Sequence, residues 1–184
     1  MFLGISTINY TFNPHFVFGV HEDDFLIQYK NAIDTRKGRA ELLLQQSFEV
    51  LILGTSRAEM GLNPYTITEG KAFNGALSGC SITEAEAMFN LALHNQPDLE
   101  EVILVCDLVM INSRNKDKVT TASSRLNPDI PMVPYYFQSF FGYNATLKSI
   151  DMLKSFSRGK KAVRNIQGHI FRKKSIQKKS TRSN

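Results

Sequence analysis

The sequence predicts an α/β domain in which helices pack against a parallel β-sheet. Three short apolar runs, each ending in a polar or small-residue turn, are separated by segments of helical or mixed character. Strands that alternate with such segments are typical of parallel sheets, because a parallel connection needs a crossover that a helix usually supplies. With 184 residues, 42% of them hydrophobic, the chain is long enough to enclose one hydrophobic core.

The first apolar run, residues 48–54, predicts a buried strand that stops at the turn Gly54-Thr55-Ser56. Before it, residues 28–46 contain good helix formers with spaced apolar positions. They predict an imperfect amphipathic helix that is interrupted near Gly38. Residues 9–19 are aromatic and rich in turn formers, and they predict an extended arm or a short hairpin.

The second unit consists of a strand from residue 72, a loop of small residues, and a helix over residues 82–95. The third unit is again a buried type of strand, over residues 99–108. Residues 113–118 predict a solvated loop, and the apolar and aromatic content of residues 137–156 predicts a further helix.

Charge divides the chain unevenly. Residues 158–184 hold ten Lys and Arg and no acid, which leaves residues 1–157 with 12 Lys and Arg against 17 Asp and Glu, a net charge of −5. We therefore predict an N-terminal arm over residues 1–27, the α/β domain over 28–157, and a disordered basic tail over 158–184. The tail could make weak contacts with a polyanion, nucleic acid or an anionic membrane surface, although basic termini are more often simply solvated.

Composition excludes several classes of protein. The two cysteines, Cys80 and Cys106, form neither a disulfide framework nor a metal-binding spacing, and we predict no metal and no cofactor. A bilayer span needs roughly 18 consecutive apolar residues. No such run is present, so no transmembrane segment is predicted in the chain.

Candidate chemistry lies in the turns that follow the strands, since ligands of open α/β sheets gather at the carboxyl ends of the strands. Ser56 follows the first strand, where backbone N–H groups at a helix start are free to stabilise an oxyanion. Gly79, in the loop after the second strand, could offer a second N–H to the same oxygen. The simpler interpretation is that Ser56 caps a helix and Gly79 permits a turn, and spacing alone favours it.

Two blocks of residues carry a resemblance to a known family. Residues 52–64 contain Gly54-Thr55-Ser56-Arg57 and the Asn63-Pro64 turn, and residues 73–79 read Phe-Asn-Gly-Ala-Leu-Ser-Gly. Both resemble blocks of the SGNH (GDSL-type) hydrolase superfamily. The strand over residues 102–107 and the segment 8–18 are similar to further parts of such proteins, so that the resemblance covers roughly residues 8–156.

The resemblance implies a three-layer, flavodoxin-like parallel sheet with helices on both faces. It also implies an ester hydrolase or acyltransferase with Ser56 as the nucleophile and the N–H groups of Ser56 and Gly79 in the oxyanion hole. Asn112 is the nearest candidate, by position, for the Asn that the family's third block supplies to that hole, while Asp107 lies closer to the end of the strand. The implied substrate is a small acyl ester or an acylated glycan of the cell envelope. The resemblance also implies that the intact parent protein is anchored in a membrane of that envelope.

The chain departs from this family at the general base. The family places its base in an Asp-x-x-His block near the C-terminus, because the imidazole must accept the serine proton while a carboxylate orients it. The four histidines are His15, His21, His94 and His169, and none follows an Asp in that spacing. We therefore expect a C-terminally incomplete domain with impaired activity, and we expect His94 to be a surface residue. The alternative is a non-catalytic remnant or binding module of the same fold; neither the acyl group nor the oligomeric state is indicated.

Overall fold

A computed structural model describes residues 2–19, 26, 36–68, 71–112 and 125–159. These residues form three strands and eight helices. In chain order they are α1 (Phe2–Phe12), α2 (Arg36–Gln45), β1 (Val50–Gly54), α3 (Ser56–Gly61), α4 (Pro64–Ile67), β2 (Ala72–Asn74), α5 (Ile82–Asn95), β3 (Glu101–Val105), α6 (Leu108–Ile111), α7 (Met132–Phe141) and α8 (Tyr143–Ser157).

The predicted α/β class with a parallel sheet is confirmed. The strand order is β2-β1-β3, and β1 pairs in parallel with both neighbours. All five residues of β1 are buried, which explains why this strand has no polar alternation in the sequence. The small sheet is flanked by helices, and the first apolar run of the sequence is its central strand.

The hydrophobic core lies mainly between β1 and the helices α2 and α5, which also contact each other. Leu51 and Leu53 of β1 belong to this main cluster. Ile52, which points the opposite way along the strand, packs in a smaller cluster with Ala58 of α3 and Ala76 of the loop after β2. Alternate side chains of the central strand therefore bury themselves in two separate clusters.

Strand β3 forms an edge of the sheet in the described part of the chain. Its Val102 and Leu104 pair in register with Leu51 and Leu53 of β1, which places all four on the same face. Val102 and Leu104 nevertheless remain 38% and 45% exposed, because α5 contacts β1 and does not cover β3 to the same extent. The prediction of a buried third strand is therefore wrong, because none of the five residues of β3 is buried and only Ile103 and Val105 are half-buried.

The predicted helix over residues 82–95 is confirmed as α5. It begins with a capping box, in which the Ser81 hydroxyl accepts from the Glu84 N–H (3.2 Å) and the Glu84 carboxylate accepts from the Ser81 N–H (3.0 Å). The predicted interruption at Gly38 is wrong, since Gly38 lies buried inside α2. Buried contacts on this helix outweigh the roughly 1 kcal/mol by which Gly disfavours a helix. Residues 28–35 of that prediction lie outside the described residues.

The single helix predicted over residues 137–156 is instead two helices, α7 and α8, separated at Gly142. The Gly142 N–H closes α7 on the Gln138 carbonyl (2.8 Å), and the backbone then extends at ψ 141°. A Cβ atom at this position would lie 2.2 Å from that carbonyl oxygen. Only glycine permits so close an approach of the chain to the end of α7.

The prediction of an extended arm is wrong for residues 9–12, which form the last turn of α1. The segment that follows is turn-rich, as predicted, with positive φ at Asn13 (40°) and Phe16 (62°). The fully buried Asn9 side chain donates to the Phe140 carbonyl (2.8 Å) and to the Thr146 hydroxyl (3.0 Å). These contacts with α7 and α8 stabilise a helix whose local sequence does not indicate one.

The division into an arm, a domain and a tail stays a prediction. Of the basic tail, only Arg158 and Gly159 lie within the described residues. None of the helices in the described ranges is long and apolar enough to cross a membrane.

Candidate functional site

Ser56 is the first residue of α3 and directly follows the end of the central strand. The N-cap of α3 is Thr55, whose side-chain oxygen accepts from the Arg57 N–H (3.4 Å). The interpretation of Ser56 as the helix cap is therefore wrong, because Thr55 already performs that role. The Ser56 side chain is half-buried, and no side-chain hydrogen bond from it is found within the described residues.

The turn between β1 and α3 requires glycine at position 54. Gly54 has φ +152°, and a Cβ atom there would lie 2.7 Å from the Ala58 Cβ and 2.9 Å from the Val105 carbonyl oxygen. The first atom belongs to α3 and the second to β3. Gly54 thus lets the helix that begins with Ser56 pack directly onto two strands of the sheet.

Thr55 also joins the end of β1 to the end of β3. Its hydroxyl donates to Asp107, and the Asp107 carboxylate caps α6 by accepting from the N–H groups of Val109 (2.9 Å) and Met110 (3.2 Å). The Thr55 hydroxyl, these backbone N–H groups and the nearby Arg57 charge hold the pKa of Asp107 below its usual range. Asp107 is therefore an ionised carboxylate with a structural role, and a poor acceptor for a serine proton.

A buried polar network fixes α3 from the side of β2. The Asn74 side chain donates to the carbonyl oxygens of Ala58 (3.1 Å) and Leu62 (3.0 Å), at the two ends of the last turn of α3. Arg39 of α2 donates to the Asn74 carbonyl (2.9 Å) and forms an ion pair with Glu59 (2.9 Å). Neither Arg39 nor Glu59 stands out in the sequence, because charged residues in helical segments are usually solvated.

Gly79 lies in the loop that follows β2, close to the end of β1. The Leu77 N–H in this loop donates to the Gly54 carbonyl (3.0 Å) at the end of β1. Leu77 precedes Gly79 by two residues, and Gly54 precedes Ser56 by two residues. Gly79 has φ +60°, the left-handed conformation that favours glycine. Arg36 secures the loop by donating to the Ser78 carbonyl (3.2 Å). The turn-forming role of Gly79 is thus evident, whereas its role in an oxyanion hole stays a prediction.

Asn112 is the C-cap of α6, the short helix that Asp107 begins. Its side chain is exposed. The segment after β3 therefore brings Asp107 to Thr55, and leaves Asn112 one helical turn further along the chain. The proposed contribution of Asn112 to an oxyanion hole stays a prediction.

The histidines give Ser56 no general base within the described ranges. His94 is exposed in the last turn of α5, as predicted, with its Nδ1 2.7 Å from the Asn90 carbonyl oxygen. His15 is half-buried in the turns after α1, where it lines a separate cavity. Ser56 is not among the residues that line the His15 cavity. His21 and His169 lie outside the described residues.

The described residues contain no cluster of three or more His, Cys, Asp or Glu side chains that could hold a metal ion. Both cysteines are free thiols, with Cys80 buried and Cys106 exposed. Comparisons of the chain with protein-family models, curated proteins and solved structures found no match.

Proposed function

We propose that the protein is an SGNH-like serine ester hydrolase or acyltransferase on a three-layer flavodoxin-like fold, with Ser56 as its nucleophile. One observation carries this proposal. Ser56 stands at the carboxyl end of the central strand and at the start of a helix that Thr55 caps, which leaves the serine hydroxyl available for other chemistry. The residue blocks around Ser56 and Gly79 that resemble the SGNH family give further support.

In the proposed reaction, the Ser56 Oγ attacks the carbonyl carbon of an acyl ester. The negative charge that develops on the carbonyl oxygen is stabilised by the N–H groups of Ser56 and Gly79, with the Asn112 side chain as a third donor. The bond between the carbonyl carbon and the alcohol oxygen of the ester breaks, the alcohol leaves with the proton that the Ser56 hydroxyl gives up, and the acyl group remains on the serine. Water or an acceptor hydroxyl then takes the acyl group, which distinguishes a hydrolase from a transferase.

The proposed substrate is a small acyl ester or an acylated glycan of the cell envelope. The support for this substrate is the family resemblance of residues 52–64 and 73–79. The reaction needs no metal and no redox cofactor, because acyl transfer through serine uses only a nucleophile, a proton acceptor and oxyanion donors.

A second candidate is a binding module that uses the same edge of the sheet without turnover. It is favoured by the positions and protonation of Asp107, His15 and His94, the groups that could act as a base in the described part of the chain. Asp107 is held ionised by Thr55 and backbone N–H groups, His94 is exposed in the last turn of α5, and His15 lines a cavity that does not include Ser56. A serine without an adjacent base is a weak nucleophile near neutral pH.

A fluorophosphonate probe separates the two candidates. Wild type and Ser78→Ala, which removes an exposed serine from the Gly79 loop, should be labelled, whereas Ser56→Ala should not. Circular dichroism would show that the variants remain folded. Labelling of Ser56→Ala at the wild-type rate would refute the proposal that Ser56 is the nucleophile. Absence of labelling in all three proteins, together with saturable binding of a short acyl ester, would establish the binding module.

A further inference from the structure

A cavity of about 640 Å³ lies where the turns after α1 meet α2, the end of α7 and the start of α8. Its volume is in the range of small-molecule binding sites. Ser56 is not among its lining residues, so this cavity is distinct from the proposed active site. Its charged lining side chains are Lys37, Lys148 and Asp151, and the His15 imidazole and the Tyr143 phenol also line it.

The lining is positively charged near neutral pH. Burial, followed by the charges of Lys37 and Lys148, lowers the pKa of His15 to about 4, which keeps this imidazole neutral. Burial also lowers the pKa of Lys37 to about 8, against the opposing effect of Glu41, so Lys37 is still mostly protonated at pH 7. Two lysines and one carboxylate then leave the lining with a single net positive charge.

The ammonium group of Lys37 is held in a fixed place. Its Nζ donates to the Ser139 hydroxyl (2.8 Å) and lies 4.1 Å from the centre of the Tyr135 ring. A half-buried lysine loses hydration, and an anion beside it would restore a favourable environment for its charge. A pre-positioned cation also binds an anion at a smaller cost in side-chain entropy than a mobile surface lysine.

The remaining lining supplies both polar and apolar contacts. Gln138 and Asn144 carry amides that can donate hydrogen bonds, and Tyr143 and Leu147 add apolar surface. The cavity also adjoins the first turn of α8, where Gly142 is the N-cap and makes no side-chain cap hydrogen bond. The positive end of that helix adds to the field of the two lysines.

We propose that this cavity binds a small organic monoanion through its carboxylate group, with the half-buried Lys37 as the fixed charged contact and the exposed Lys148 as a second one. One net positive charge matches a monoanion. The Asp151 carboxylate, which also lies 3.8 Å from Lys154, opposes a second negative charge on the ligand. The apolar part of the lining accommodates a short hydrocarbon chain, which inorganic anions lack.

Titration with butyrate, followed by ¹⁵N NMR of the full chain, tests this proposal. We expect saturable shifts at Lys37 and at residues 143–145, with none for butyramide, the neutral analogue. Lys37→Gln and Lys148→Gln should each weaken butyrate binding roughly fivefold or more, since either removes one of two attractive charges. Lys71→Gln, which removes an exposed lysine beside Glu49, should leave the affinity unchanged.

Asp151→Asn provides the complementary test, because it raises the net charge of the lining. It should tighten butyrate binding and should improve the binding of inorganic phosphate by a larger factor. Equal shifts with butyrate and butyramide, or butyrate affinity unaffected by Lys148→Gln in a folded variant, would overturn the proposal. Phosphate binding more tightly than butyrate to wild type would overturn the assignment to a carboxylate.

Discussion

The buried pair of Arg39 and Glu59 should be one of the most sensitive points of the fold. Its side chains are only 4% and 10% exposed, the charged atoms lie 2.9 Å apart, and Arg39 also donates to the Asn74 carbonyl. Removing one partner leaves the other charge buried and uncompensated, which costs roughly 3–5 kcal/mol. We therefore expect Arg39→Met and Glu59→Gln each to lower the free energy of unfolding by about 3 kcal/mol.

The double variant separates an ion pair from two independent effects. Because Arg39→Met/Glu59→Gln leaves no buried charge, its free energy of unfolding should fall by well under the sum of the single losses, with a coupling of about 2 kcal/mol. Urea unfolding followed by far-ultraviolet circular dichroism is a suitable assay, since the chain contains no Trp. The matched control is the pair Lys71 and Glu49, 63% and 32% exposed, which should show little or no coupling. Additive losses at Arg39 and Glu59, or single losses below about 1 kcal/mol, would refute the reasoning.

Three further predictions follow from single contacts. Gly54→Ala should lower the free energy of unfolding by at least about 2 kcal/mol, since its Cβ would lie 2.7 Å from the Ala58 Cβ. The control Gly4→Ala, whose Cβ would lie in open space, should not destabilise the protein. Equal effects of the two substitutions in urea unfolding would contradict this prediction. His15 has a folded pKa of about 4 against 6.5 unfolded, so the unfolded chain binds more protons and stability falls as pH drops through this window. Between pH 7.5 and 4.5, the free energy of unfolding of wild type should therefore fall by about 2–3 kcal/mol more than that of His15→Gln. Equal falls in the two proteins would show that His15 does not cause this pH dependence. Thr55→Val should raise the pKa of Asp107 by removing its hydroxyl donor, and an unchanged ¹³C titration of that carboxyl would show that the contact has no such effect.

The parts of the fold that could be predicted are those in which local pattern and tertiary environment agree. The β1 strand is an unbroken apolar run that ends at a glycine, and α5 combines helical periodicity with the Ser81 capping signal. The helix α1 could not be predicted, since Asn9 reaches its partners in α7 and α8 more than 130 residues away. The break at Gly142 depends on a close approach to Gln138 that residue type alone does not indicate.

The position of the candidate site could be predicted from the sequence, but its helix cap and hydrogen bonds could not. The polar turn after β1 located Ser56 at the carboxyl edge, because strands of a parallel sheet share that edge. The exact start of α3 decides whether Ser56 or Thr55 is the cap, and boundaries are the least certain part of a sequence-based assignment. The pairing of Thr55 with Asp107 follows from the register of β1 and β3, which join residues about 50 positions apart.

The most direct test of Ser56 as the nucleophile is to look for an acyl group on its side chain. The full chain would be incubated with p-nitrophenyl butyrate, quenched in acid and digested, and the peptides would be examined by mass spectrometry. We expect an adduct of one butyryl group on Ser56 in wild type, and none in the matching peptide of Ser56→Ala. Acylation confined to lysines, or spread equally over several serines with Ser56 unmodified, would contradict it.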